Sequence, residues 1–207
     1  MVVMRIVLLH GGLWEPMDAD GFWHRTGIAA GLTRRGLEVV APDRLARAAS
    51  WDAEVEHLAP LLPRGPSVLL GACNASGLAV SLARRFPTRV SKVVLAWPLT
   101  AGDADRDARV AARIAAEGLH PEAVAGLLAG GLLRGACDGD IAALPGAATA
   151  VVRAPAASPS HRPETADALL RLVDGATDLG VFAEPPTPMF APQCDDFCDA
   201  LAQWCLS

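Results

Sequence analysis

Positive charge is scarce in this sequence: 18 lysines and arginines stand against 23 acidic residues, a formal net charge of −5. That leaves no electrostatic footprint for a phosphate backbone, and nucleic acid is excluded as an expected partner. Lysine is almost missing. Lys92 is the single one, and the abundance of arginine and alanine is the mark of a GC-rich genome rather than of chemistry. Long apolar runs are lacking as well. The first, Ile6 to Leu9, is broken at once by His10 and two glycines. It is too short for the core of a signal peptide or for a membrane span, so a cytoplasmic protein without a membrane partner is expected. The five cysteines, Cys73, Cys137, Cys194, Cys198 and Cys205, form an odd set without CxxC spacing. This argues against a disulfide framework and against a zinc site, and neither metal nor cofactor is expected. No internal repeat or low-complexity linker divides the chain.

What is present is a chain of 207 residues with 52% hydrophobic residues, enough for one sizeable core. Short runs rich in β-branched residues, Met4–Leu9, Leu37–Ala41, Ser67–Gly71 and Lys92–Ala96, alternate with helical patterns, and Thr149–Arg153 and Asp178–Ala183 continue the rhythm. Continuous apolar strands separated by helices predict an α/β fold, a mostly parallel sheet covered by helices on both faces. Trp51, Val55, Leu58 and Leu62 fall on one helical stripe, as do Ala166, Leu169, Leu170 and Val173. The last helix stacks Cys194, Phe197, Cys198, Leu201, Trp204 and Cys205, where the thiols read as small buried hydrophobes. Pro163 suits a first helical turn and Gly36 a helix end.

One stretch interrupts the alternation. Residues 101–146 are rich in alanine and glycine, with helical periodicity and no strand. They are expected to form a helical lid over a core made of residues 1–100 and 147–207, at the carboxyl edge of the sheet where open α/β folds place their ligands.

Ser67 to Leu78 reads as a strand, a tight turn of small residues and a helix. A nucleophile elbow needs small residues two before and two after the reactive side chain, and Gly71 and Ala75 meet that need around Cys73. Here the chain resembles the α/β-hydrolase superfamily in a short form. Leu8–Leu9–His10–Gly11–Gly12 looks like the family's oxyanion loop and Ala41–Pro42–Asp43 like its next strand end. The elbow residue of that family is usually serine, with cysteine in a minority such as the dienelactone hydrolases. A helix N-terminus favours thiolate, so a reactive Cys73 is reasonable, as is an inert residue left where a nucleophile once stood. The resemblance implies an oxyanion hole formed by the backbone N–H groups of Gly12 and Asn74.

The family's remaining triad positions do not match. Its acid would follow the strand Thr149–Arg153, where Ser158–Pro159 stands, and its histidine would precede the last helix, where the loop places Thr187. No histidine lies beyond His161, and threonine is no general base near neutral pH. His161 occupies the loop that should carry the acid. It reads either as an exposed loop histidine or as an unconventional partner of Cys73. Glu184 ends the last strand and faces the presumed ligand site, either as a solvated loop carboxylate or as a base of raised pKa under apolar cover. Trp14 and Trp97 follow strand ends on the ligand side and read equally as pocket walls or core, while His10 belongs to the oxyanion loop. With Leu13, Ser158 and Thr187 these residues make up the expected substrate surroundings.

Three functions are compatible with this pattern. The leading expectation is an enzyme on a small, largely apolar carbonyl compound that performs an elimination, cyclisation or isomerisation with the oxyanion hole and Cys73 or Glu184. The alternatives are a cysteine hydrolase of an ester, thioester or lactone with His161 as its base, and a ligand-binding protein without catalysis.

Overall fold

The computed structural model describes residues 3–156, 158 and 160–207. Strands β1 (Arg5–Leu9), β2 (Glu38–Val40), β3 (Ser67–Ala72), β4 (Val90–Ala96), β5 (Thr149–Arg153) and β6 (Thr177–Val181) form one sheet in the order β2-β1-β3-β4-β5-β6. Every pairing is parallel. Strands β2 and β6 at the two edges are shorter than the apolar runs that predict them. Edge strands have a ladder partner on one side only, and the ends of both runs turn into loops.

Successive residues of the inner strands feed opposite faces, as the period of two requires. Ile6, Leu8, Val68 and Leu70 pack into a layer with helices α1 (Ile28–Arg34) and α8 (Cys194–Leu206). Val7, Leu9 and Leu69 pack into the opposite layer with α2 (Trp51–Leu58), α3 (Ala75–Arg85) and α7 (Pro163–Leu172). Helix boundaries follow local chemistry. The hydroxyl of Ser50 accepts from the N–H of Ala53 at the start of α2, Pro163 opens α7, and Gly36, at a φ of 87°, terminates α1. Cys198 and Cys205 are fully buried on the inner face of α8, and all five cysteines are free thiols.

Between β4 and β5 lie α4 (Ala104–Ala116), α5 (Pro121–Leu128) and α6 (Asp138–Ala142). The first two form the lid, joined through Ile114, Val124 and Leu127 to Leu13 of the loop after β1. Helix α6 packs instead against α3 and α7 as part of the layer below. Among the described residues no helix is long and apolar enough to cross a membrane.

The chain leaves β1 for β2 on one side and returns to β3 on the other. Loops therefore diverge above the carboxyl ends of β1 and β3, the switch point at which a doubly wound sheet opens a crevice.

Candidate active site

Cys73 stands above that switch point, between the last residue of β3 and the start of α3. Its φ is 53°, a left-handed conformation that a side-chain-bearing residue adopts at a cost. The turn holds because its N–H donates to the carbonyl of Ala96 at 2.9 Å and because its neighbours are small. A Cβ on Gly71 would lie 2.2 Å from the carbonyl oxygen of Ala75, and one on Gly11 would lie 2.9 Å from Cβ of Cys73. Only glycine lets the first turn of α3 come this close to β3 and the loop after β1 this close to Cys73.

The loop after β5 brings His161 over the cysteine. It is stitched to the segment after β4: Thr100 donates its N–H to the carbonyl of Ser160 at 3.1 Å, and its hydroxyl accepts from the N–H of Arg162 at 3.0 Å. His161 is consequently buried, with Nε2 3.3 Å from Sγ of Cys73. On the other side of the ring Nδ1 faces the Ser158 hydroxyl at 3.1 Å and Oε2 of Glu184 at 3.4 Å. Glu184 arrives from the loop after β6. The donor atoms of Cys73, His161 and Glu184 all lie within 4.8 Å of one another. A borderline metal can draw on such a donor set. The imidazole, however, presents a different nitrogen to sulfur and to carboxylate, an arrangement suited to passing a proton rather than to one shared coordination point.

Burial sets the protonation of this cluster. It is the main cause that holds the Cys73 thiol well above its usual pKa, reinforced by the negative field of Glu184 and opposed by the N–H of Asn74. The helix N-terminus behind Cys73, expected to favour thiolate, is outweighed. Burial, followed by the charge of Arg106, lowers His161 to about 4. Burial, then Glu15, raises Glu184 to about 7, although its contact with Cys73 acts the other way. Near neutral pH the site therefore holds a thiol, a neutral imidazole and a carboxyl group in mid-titration. A protonated thiol donates to Nε2, which leaves the ring proton on Nδ1, toward Glu184.

The other expected site residues divide. Leu13, Asn74, His161 and Glu184 share the wall of a cavity of about 340 Å³ under α4. Ser158, Thr187 and Glu184 share a smaller apolar cleft with Pro155 and Met189. Gly12, at a φ of 82°, lies in the loop above Cys73. Three of the residues offered for the substrate surroundings lie away from the cavity under α4. His10 is 3% exposed, its Nδ1 lies 2.8 Å from the Gly11 carbonyl and its Nε2 accepts from the N–H of Arg44, so both nitrogens are taken and it braces the loop from beneath. Trp97 is wholly buried, stacked on Phe197 and edge-on to Phe22 and Phe190, with its indole N–H on the Phe182 carbonyl; it is core. Trp14 turns toward a separate groove, where it donates to the carbonyl of Ala48 and carries the guanidinium of Arg47.

Sequence patterns pass over Arg44 and Glu54. They form a buried ion pair of 2.6 Å at 2% and 1% side-chain exposure. Nη1 of Arg44 also donates to the carbonyls of His10, Gly11 and Gly12 at 3.0, 3.2 and 2.9 Å. A trans peptide directs C=O and N–H oppositely, so a Gly11 carbonyl held by Arg44 turns the Gly12 N–H away from Arg44. The one available hint is an arginine directly after the strand end Ala41–Pro42–Asp43, which by itself does not reveal its reach.

No family model and no curated protein matches the sequence. Solved structures do match. The meta-cleavage product hydrolase CumD of Pseudomonas fluorescens IP01 superposes with a TM-score of 0.69 at 19% identity, over 97% of this chain and 90% of that one. The chain has the α/β-hydrolase fold. A bromoperoxidase from Bacillus anthracis matches with a TM-score of 0.69 at 15% identity, covering 100% of this chain and 93% of its own. A thermophilic esterase from Thermogutta terrifontis reaches 0.63 at 19% identity over 97% and 89%. Against the α/β-hydrolase pattern set out above, histidine and acid have exchanged places here. His161 stands on the loop of the acid and Glu184 on the loop of the histidine, yet both converge on the elbow.

Proposed function

We propose that this protein is a cysteine hydrolase acting on the activated carbonyl of a small ester, thioester or lactone. The observation that carries this reading is the 3.3 Å approach of His161 Nε2 to Cys73 Sγ, with Glu184 behind the ring. The leading expectation from sequence, an elimination, cyclisation or isomerisation with the oxyanion hole and Cys73 or Glu184, rests on the missing histidine at the family's usual position. A base reaching the sulfur from another loop removes the reason for preferring it.

Attack of Cys73 sulfur on the carbonyl carbon transfers the thiol proton to Nε2 of His161 and forms a tetrahedral oxyanion, received by the N–H groups of Gly12 and Asn74. The imidazolium formed at that moment is stabilised by Glu184. Collapse expels the alkoxide or thiolate, which takes the proton from Nε2, and leaves an acyl-thioester on Cys73. Water then attacks that carbonyl with His161 as base, the carboxylic acid departs, and the thiol is restored. A neutral thiol suits this sequence, since its proton passes to Nε2 as the sulfur attacks and no buried thiolate waits at rest.

p-Nitrophenyl acetate tests the reading. The expected result is sustained release of p-nitrophenol with an acetyl group trapped on the Cys73 peptide in mass spectrometry, and a fall of at least about 10²-fold in His161→Ala. Undiminished turnover in Cys73→Ala overturns it.

A further inference from the structure

The cavity walled by His161 and Glu184 is not the apolar pocket that Trp14 and Trp97 as walls would imply. Four arginines share its wall with Asn74, His161 and Glu184. Arg106, Arg109 and Arg113 sit at i, i+3 and i+7 of α4, on one face of the helix, and Arg134 comes from the loop before α6. Two are matched by carboxylates: Arg113 pairs with Glu15 at 2.7 Å, and Arg134 pairs with Asp107. Arg106 donates to the carbonyls of Thr100 and Ser160 and lies in the field of the Asp103 carboxylate. Arg109, exposed at the rim, makes no hydrogen bond or ion pair among the described residues.

A second feature points the same way. The side chain of Arg134 is 1% exposed, and its Nε is buried without a hydrogen-bond partner. A guanidinium taken out of water with a donor unused is costly.

We propose that the cavity selects substrates carrying a carboxylate beside the reacting carbonyl, gripped between Arg109 at the rim and Arg134 at the wall. This rests on the hydrolase reading and names the class of its substrate: the small half-ester or half-thioester of a dicarboxylic acid. The adjoining apolar cleft of Pro155, Ser158, Thr187 and Met189, which meets the cavity at Glu184, takes the leaving group. The charge of Arg106 lowers the basicity of His161, and a bound anion offsets that field, so the correct substrate also strengthens the base it needs.

The experiment compares mono-p-nitrophenyl glutarate with p-nitrophenyl valerate, of similar length, and measures glutarate and inorganic phosphate binding to Cys73→Ala by calorimetry. The glutarate half-ester should have a kcat/KM at least about tenfold higher, the effect of one charge-assisted hydrogen bond at a partly open site, and salt should erode the preference. Arg109→Glu should remove both the preference and glutarate binding, Arg109→Lys should restore part of them, and Arg171→Gln, at the far end of α7, should do neither. Equal or better use of the valerate, together with no glutarate binding, overturns the proposal and leaves the hydrolase intact. Binding of phosphate but not glutarate overturns the carboxylate assignment. If neither ester is hydrolysed while glutarate binds and Arg109→Glu abolishes it, the hydrolase reading fails and the anion site stands.

Discussion

Replacing Glu184 by glutamine keeps the size of the side chain and removes its charge, so it isolates what the carboxylate does for His161. The resting imidazole is neutral, its pKa lowered to about 4, and the ion pair exists only while His161 holds the thiol proton. Unit charges 3.4 Å apart attract by about 5 kcal/mol at an effective dielectric of about 20. Glu184 keeps a quarter of its side chain exposed, and water takes part of that, so a loss of about 10³-fold in kcat is expected at pH 8. The sign of the pH effect follows from a carboxyl raised from 4.5 to about 7. Below pH 7 it is protonated and cannot stabilise the imidazolium; above pH 7 it can. Activity should therefore climb through pH 7 in the parent, and Glu184→Gln should lose that limb, the two converging toward pH 5. Stability provides a control. A raised carboxyl pKa means that ionisation opposes folding above about pH 4.5, so Glu184→Gln should melt no lower than the parent at pH 8. Ester hydrolysis from pH 5 to 9, with melting curves in the same buffers, reads both. A variant that retains the limb near pH 7, or loses the same factor at every pH, refutes the assignment of Glu184 to His161.

Two further substitutions test the support around the site. Arg44→Met should cost about 3–5 kcal/mol in urea unfolding, because Glu54 is left buried and unpaired and three loop carbonyls lose their donor; unchanged stability would remove Arg44 from its positioning role. Trp97→Ala should cost about 3–5 kcal/mol through the cavity left among Phe22, Phe190 and Phe197, whereas Trp97→Phe should leave KM unmoved. A shift of KM in Trp97→Phe at unaltered stability would return the ring to the substrate wall.

Much of this molecule is written in neighbouring residues. Strands and helices follow from apolar period, and the caps at Gly36 and Pro163 from backbone chemistry. The elbow follows from the demand for small residues at Gly71 and Ala75, which the 2.2 Å gap to the Ala75 carbonyl makes physical. These are local constraints, satisfied within a turn or two of chain, and a linear pattern records them. The cluster is of another kind. His161 lies 88 residues from Cys73, and what places it there is a set of hydrogen bonds from the loop after β4. Spacing along the chain carries no record of which loop leans over which strand end, so an exposed loop histidine and a buried base share one sequence signature. The grip of Arg44 on the oxyanion loop, the burial of Trp97 and the convergence of arginines from α4 and the loop before α6 likewise depend on packing between distant segments. Protonation came last of all. A helix N-terminus alone favours thiolate, and only the density of protein around Cys73 and the nearness of Glu184 reverse it, because the cost of a charge is set by everything that surrounds it in three dimensions.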